Sequence, residues 1–99
     1  MKFTLLERIV LPSILPAKGT FENMIVRRDI MERVKINQEE LEKYQIKSLD
    51  GGLKWEPTAD EFDYEFSEIE KILITQSLKS LSEKGEIIPD HISLYKKFV

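Results

Sequence analysis

The sequence predicts a single α+β domain over residues 1–99, with about five helices and a small antiparallel sheet of two or three strands. Three capping boxes, one tight-turn signal and one stretch of alternating aromatic residues indicate this class. In a capping box, a short polar side chain accepts the N–H three residues on, and a glutamate there reaches back to the cap's own N–H. The boxes are Thr4–Glu7, Asn37–Glu40 and Ser67–Glu70.

The first predicted helix covers residues 5–15 and begins after Thr4. Its apolar residues fall on all sides, which is typical of a helix that is buried on most sides. Pro12 has no N–H and clashes with the carbonyl four residues earlier, so we expect the helix to kink or end there. A strand over residues 3–11 is the alternative for this segment.

Two further helices are predicted before the strand signals begin. Thr20 can cap a helix over residues 21–35, and Asn37 can cap a short helix over residues 38–45. Three helices followed by a hairpin is an order like that of a winged helix. The apolar face of the helix over 21–35 consists of Phe21, Met24, Ile25, Ile30 and Val34.

The strand signals lie between the third helix and the long helix after Ser67. Asp50-Gly51-Gly52 is a strong tight-turn signal, and it predicts a hairpin with short strands over 45–48 and 52–56. Residues 60–66 alternate aromatic and acidic side chains, which is the pattern of a half-buried strand. We expect this strand to join the hairpin in one small sheet. The aromatic side chains expected to face the core are Phe62, Tyr64 and Phe66.

The longest helix is predicted over residues 68–84. Ser67 caps it, and Gly85 can adopt the left-handed conformation that ends it. A last helix is predicted from His91 to Phe98, with Asp90 as its cap. Because the apolar residues of the long helix fall in two sectors, we expect it to be contacted from two sides. The sectors are Ile69, Ile72 and Leu73, and Ile74, Leu78 and Leu81.

The composition argues against several classes of protein. There is no cysteine, so disulfides, zinc ribbons and thiol nucleophiles are excluded. No stretch approaches the roughly 20 apolar residues of a membrane span. Glu7 and Arg8 interrupt the apolar run near the N-terminus, so we expect no signal peptide. We expect a cytoplasmic protein, because the absence of cysteine fits a reducing compartment. We expect no membrane partner, because no apolar stretch is long enough to span a membrane.

Side chains that carry chemistry are scarce. His91 is the only histidine, and we interpret it as structural because it starts a helix two residues after a proline. The sequence contains no nucleophile elbow and no phosphate loop. The spacing of the acidic residues over 60–65 matches no calcium loop. We therefore expect no catalytic, cofactor or metal site.

Three groups of residues carry a resemblance that spans nearly the whole chain. They are Glu7-Arg8 with Ile14-Leu15-Pro16, then Gly52-Leu53-Lys54-Trp55, then His91-Ile92-Ser93-Leu94-Tyr95-Lys96-Lys97-Phe98. In this order they resemble short uncharacterised proteins encoded in tailed-phage and prophage genomes. The resemblance implies a phage setting, with the host cytoplasm as the location, and it implies no activity.

The leading hypothesis is a non-enzymatic interaction protein that binds another protein or a second copy of itself. The acidic residues over 60–70 also have a structural explanation. Their charge can protect an edge strand from pairing with another chain, and acidic side chains are stabilising near the N-terminus of a helix. The two C-terminal aromatic residues pack either on their own chain, which we favour, or on a second subunit. The candidate contact residues are an exposed Trp55, the acidic Asp60, Glu61, Asp63 and Glu65, and the C-terminal Tyr95 and Phe98.

The alternative is a nucleic-acid-binding, winged-helix-like domain that uses a basic helix face. In such a domain the third helix would enter the major groove. That helix carries three glutamates and one lysine over residues 38–44, and the glutamates would face phosphates. Nucleic acid is therefore the less favoured partner. The basic residues of the alternative are Arg27, Arg28, Arg33 and Lys35, with Asp29 and Glu32 interleaved.

Overall fold

The computed structural model describes residues 1–99 and shows an α+β fold with five helices and two small antiparallel sheets. The predicted fold class is confirmed, and three helices precede a hairpin as expected. A 3-10 turn over Pro89–His91 precedes the last helix. In chain order the elements are β1 (Lys2–Thr4), α1 (Leu5–Ile14), α2 (Phe21–Val34), α3 (Gln38–Lys43), β2 (Lys47–Leu49), β3 (Gly52–Lys54), β4 (Glu61–Asp63), α4 (Glu68–Glu83) and α5 (Ile92–Phe98).

The strands form two separate antiparallel sheets of two strands each, so the expectation that the third predicted strand joins the hairpin is wrong. β2 and β3 form the predicted hairpin, with Ser48 opposite Leu53. β4 pairs with β1, with Phe62 opposite Phe3. β4 is shorter than the predicted strand over 60–66 because β1 has only three residues before α1 begins at Leu5.

Helix α1 continues for two residues beyond Pro12, and it occupies most of the segment for which a strand was the alternative. Pro12 lies in the last turn of the helix. Its missing N–H therefore leaves only the Arg8 carbonyl without a helical donor. The cost is confined to one end, and the helix reaches Ile14.

All three predicted capping boxes are formed. The cap oxygens of Thr4, Asn37 and Ser67 accept the N–H three residues on at 3.2, 2.8 and 3.3 Å. The glutamate carboxylates accept the cap residues' own N–H groups at 2.8, 3.1 and 2.7 Å. Thr20 also caps α2, by accepting a backbone N–H at 3.1 Å. The helix starts are therefore local properties of the sequence.

Helices α3 and α4 end in the same way. Gly85 adopts a φ of 69°, and the N–H of the next residue returns to the Leu81 carbonyl at 2.8 Å, so the predicted stop is confirmed. Gln45 adopts a φ of 50°, and the following N–H returns to the Leu41 carbonyl at 3.0 Å. Gln45 is the only residue other than glycine with positive φ. The chain therefore enters the hairpin through a strained residue.

The core lies where α1, α2, α4 and α5 pack against the aromatic face of the β1–β4 sheet. Ile69 and Ile72 are 58% and 53% exposed, whereas Leu73 of the same predicted sector is buried. Phe21 is 76% exposed and does not belong to the buried face of α2. Helix α4 contacts α1, α2 and α5, as expected for a helix contacted from two sides. Only the positions of Ile69, Ile72 and Phe21 were predicted wrongly, because no other element covers them. The most deeply buried apolar residues are Phe3, Leu11, Ile30, Val34, Ile74, Leu78 and Leu94.

The last helix is not capped by Asp90, which was the prediction. Pro89 instead begins the 3-10 turn, and the turn leads directly into α5. His91 is buried, and its Nδ1 accepts the Ile88 N–H at 3.3 Å. The imidazole therefore closes the turn, which is the structural role expected for it.

Candidate functional site

The C-terminal aromatic residues pack on their own chain. The Phe98 ring lies 6.1 Å from the Phe3 ring and 6.3 Å from the Phe66 ring, centroid to centroid. The Thr75 hydroxyl donates to the Phe98 carbonyl at 3.0 Å. Tyr95 is half-buried against the same cluster. The intrachain alternative is therefore the observed one, and the half-buried Phe98 packs against the core.

The predicted acidic residues do not act as one free strip. Asp60 accepts the Tyr44 hydroxyl at 2.6 Å and pairs with Lys43 at 3.3 Å. These two contacts lower the pKa of Asp60. Asp63 pairs with the N-terminal amine at 2.9 Å, and this contact lowers its pKa. The exposed strip residues without a basic partner are Glu61 and Glu65.

The basic residues of the nucleic-acid alternative do not form one face. Arg33 donates to Glu70 at 2.6 Å, and Arg28 pairs with the neighbouring aspartate at 3.3 Å. Arg27 is half-buried, and its Nε has no hydrogen-bond partner. Lys35 lies beyond the end of α2. Since a helix has 3.6 residues per turn, the three arginines point to different sides of α2.

Each capping-box glutamate also binds a basic side chain from a distant part of the chain. Lys97 donates to the two Glu7 oxygens at 3.1 and 2.9 Å. Arg8 binds both oxygens of Glu40. Arg33 binds Glu70, as described above. We name these ion pairs the three clamps, and they join α1 to α5, α3 to α1, and α4 to α2.

Arg8 is the most constrained member of the clamps. The side chain is 4% exposed, and Nη2 donates to Glu40 Oε1 at 2.8 Å. Nε and Nη2 also donate to the carbonyls of Val34 and Lys35 at 3.1 and 2.7 Å. The guanidinium carbon lies 4.5 Å from the centre of the Phe62 ring. One side chain therefore joins α1 to the end of α2, to α3 and to β4.

The pKa values of all three clamp glutamates are lowered. For Glu40 the main cause is the hydrogen bond from Arg8. For Glu7 and Glu70, burial by itself would raise the pKa. The cap N–H groups and the bound bases together outweigh burial and lower it. The carboxylates are therefore charged in the folded protein well below neutral pH.

The β2–β3 hairpin contributes no buried residue, and an apolar groove of about 410 Å³ separates it from α1. This volume lies within the range of roughly 300–1,000 Å³ that is usual for ligand sites. Trp55 is half-buried in its wall, which corrects the expectation of an exposed side chain. Leu53 and Ile88 are 48% and 49% exposed. The apolar lining residues are Leu6, Ile9, Val10, Leu53, Trp55 and Ile88.

Sequence reasoning found Trp55 and missed the other walls of this groove. The helix was expected to be buried on most sides, and Leu6, Ile9 and Val10 lie on the side where it is only half-buried. The hairpin stands over this side of α1 without closing on it. One signal could have indicated a groove. The first helix is apolar on all sides, and the other predicted elements do not cover all of them.

Two further findings concern ligands and membranes. No group of three or more histidine, aspartate or glutamate side chains lies close enough together to hold a metal ion. None of the helices combines the length and the apolar character that a membrane crossing requires.

No protein-family model matches the chain, and neither a curated protein nor a solved structure matches it.

Proposed function

We propose that the protein acts by binding another protein, without catalysis, and that the groove between the hairpin and α1 is the contact surface. The observation that supports this is the cluster of apolar side chains at the surface around Trp55. Monomeric proteins rarely expose large contiguous apolar patches, and those that exist are often functional. A central tryptophan surrounded by apolar neighbours is also the composition typical of binding hot spots.

The construction of the two walls supports the same proposal. The α1 wall is anchored in the core by Leu11, and Glu7 and Arg8 belong to two clamps. The hairpin wall is exposed along both strands and is held at its base by the bond from the Glu56 N–H to the Tyr44 carbonyl at 2.8 Å. Segments with few buried contacts open locally at low cost. A fixed wall therefore faces a wall that can adjust to a partner.

The titratable groups also favour binding over catalysis. A strongly perturbed group in a cleft is the usual mark of a catalytic site. Here the groups with displaced pKa values lie in the clamps and in the pairs around Tyr44, Asp63 and Tyr64, and none lines the groove. The phage setting and a cytoplasmic location stay predictions that the proposal adopts.

Affinity capture with matched variants tests the groove. The wild type, the groove variant Leu53→Ser/Trp55→Ser and the control variant Phe21→Ser are each immobilised and exposed to lysate of the source cells. Truncating an interface hot spot costs about 2 kcal/mol or more, which is roughly 30-fold in affinity. We expect a partner that the wild type and Phe21→Ser retain and the groove variant loses. The purified partner should then shift the amide resonances of groove residues.

Identical retention by all three proteins would contradict the proposal, because the groove variant should lose the partner. Phe21→Ser is the control, since it removes exposed apolar surface outside the groove. Thermal melts of the three proteins check that each is folded. Retention on duplex DNA that falls steeply with salt would instead favour the nucleic-acid alternative.

A further inference from the structure

The outer face of the hairpin carries two lysines directly opposite each other. Lys47 pairs with Lys54 in the register of β2 and β3. Like charges in directly opposed positions destabilise a strand pair. Neither lysine forms an ion pair within the chain. Leu49 lies on the same face, two residues after Lys47, and is exposed.

A hollow of about 250 Å³ adjoins these lysines. Leu49 and Trp55 supply its apolar lining, and Glu56 also borders it. Glu56 stays more than 4.0 Å from both lysine amines, so it neutralises neither of them. Two free cations beside apolar surface are complementary to a partner that presents carboxylates.

The chain itself carries such a partner surface. Glu61 and Glu65 are exposed and lack basic partners, and β4 pairs on one edge only, with β1. Tyr44 connects the two surfaces, since its carbonyl holds the base of the hairpin and its ring lies 6.0 Å from the Phe62 ring of β4. Tyr44 therefore contacts both the base of the hairpin and β4, the two elements that carry the lysines and the glutamates. Two copies related by a two-fold axis can each place their basic surface against the other's acidic one.

We propose that the protein bound at the hairpin is a second copy of this chain. In this isologous dimer, Lys47 and Lys54 of each copy bind Glu61 and Glu65 of the other. The inference goes beyond the proposed function, because Lys47 and Lys54 lie on the face of the hairpin opposite the groove. Because these charges are exposed, salt screens their attraction, with a Debye length that falls from about 10 Å at 0.1 M to 3 Å at 1 M. Dimerisation is therefore strongest at low salt.

Charge reversal provides the test, read by sedimentation equilibrium. The hairpin-reversed variant is Lys47→Glu/Lys54→Glu, and the strip-reversed variant is Glu61→Lys/Glu65→Lys. Each variant alone opposes like charges in every pair. Four pairs are lost at roughly 0.2–1 kcal/mol each, so its dimer should dissociate at least about 4-fold more readily than the wild type. An equimolar mixture restores every opposite-charge pair. We expect the mixture to associate as the wild type does.

The control variant Lys18→Glu/Lys79→Glu changes the net charge of the chain as the hairpin-reversed variant does, at two exposed lysines elsewhere. It should keep the wild-type dissociation constant. A wild type that stays monomeric at low salt up to about 1 mM, or reversed variants that fail to associate when mixed, would overturn the dimer. If the dimer fails while capture still depends on the groove, the partner is a different protein and the proposed function stands. If capture is independent of the groove, the proposed function fails whatever the oligomeric state.

Discussion

Arg8→Ala is expected to destabilise the protein by about 3–5 kcal/mol, the cost of breaking a buried ion pair by removing one partner. The substitution leaves the Glu40 carboxylate without its cation and removes the donors to the carbonyls of Val34 and Lys35. Domains of this kind are stable by only about 5–15 kcal/mol. We therefore expect the midpoint of urea denaturation to fall steeply, and a fraction of the chain to be unfolded without urea if the wild type lies near the lower bound.

Arg28→Ala is the matched control, because Arg28 is exposed and pairs only with its neighbour Asp29. Exposed substitutions of this kind usually change stability by no more than about 0.5 kcal/mol. The double variant Arg8→Met/Glu40→Leu should recover part of the loss, since an apolar pair leaves no unpaired charge. Equal effects of Arg8→Ala and Arg28→Ala would show that the Arg8 clamp contributes nothing.

Deleting residues 91–99 is expected to abolish cooperative folding. The deletion removes the fully buried Leu94, the Phe98 ring that stacks on Phe3, and the Lys97 amine that neutralises Glu7. Each large buried side chain contributes roughly 1.5–3 kcal/mol, so the total approaches the whole stability of a small domain. Circular dichroism during thermal melting should show no sharp transition in the truncated chain.

Single substitutions separate the contributions of this segment without removing it. Phe98→Ala should cost about 3 kcal/mol, at the lower end for a phenylalanine because its ring is half-buried. Val99→Ala is the control, since Val99 is exposed at the end of α5. A truncated chain with the melting curve of the full chain would contradict the docking of α5.

The helix starts could be predicted because capping is a local interaction. Thr4 and Glu7 are three residues apart, and both halves of their box can be read from the sequence. The clamp partner of Glu7 lies 90 residues away, and that of Glu40 lies 32 residues away. No periodicity or spacing relates such residues, so sequence reasoning recognised each glutamate as a cap and missed its second role.

The difference between local contacts and contacts between distant residues also explains the errors in predicting the sheet and the candidate site. β1 is three residues long, too short to show alternation, so its pairing with β4 could not be predicted. The Asp-Gly-Gly turn predicted the hairpin but not where it would lie. The groove at Trp55 depends on the hairpin lying over α1, which is a tertiary relation. Sequence reasoning therefore identified one wall residue and could not identify the groove.

The proposals for the groove depend on α1 being held in place by the clamps of Glu7 and Glu40. All three clamps can be tested by titrating Glu7, Glu40 and Glu70 with NMR of their side-chain carboxyl groups. We predict that all three pKa values lie below the ordinary glutamate value of about 4.3. Since each pKa is lower in the folded chain than in the unfolded chain, the stabilisation is complete above about pH 4.3 and is lost as the pH falls through the folded values. Three carboxyl groups that titrate at or above 4.3, in a protein whose stability does not change on acidification, would contradict the clamps.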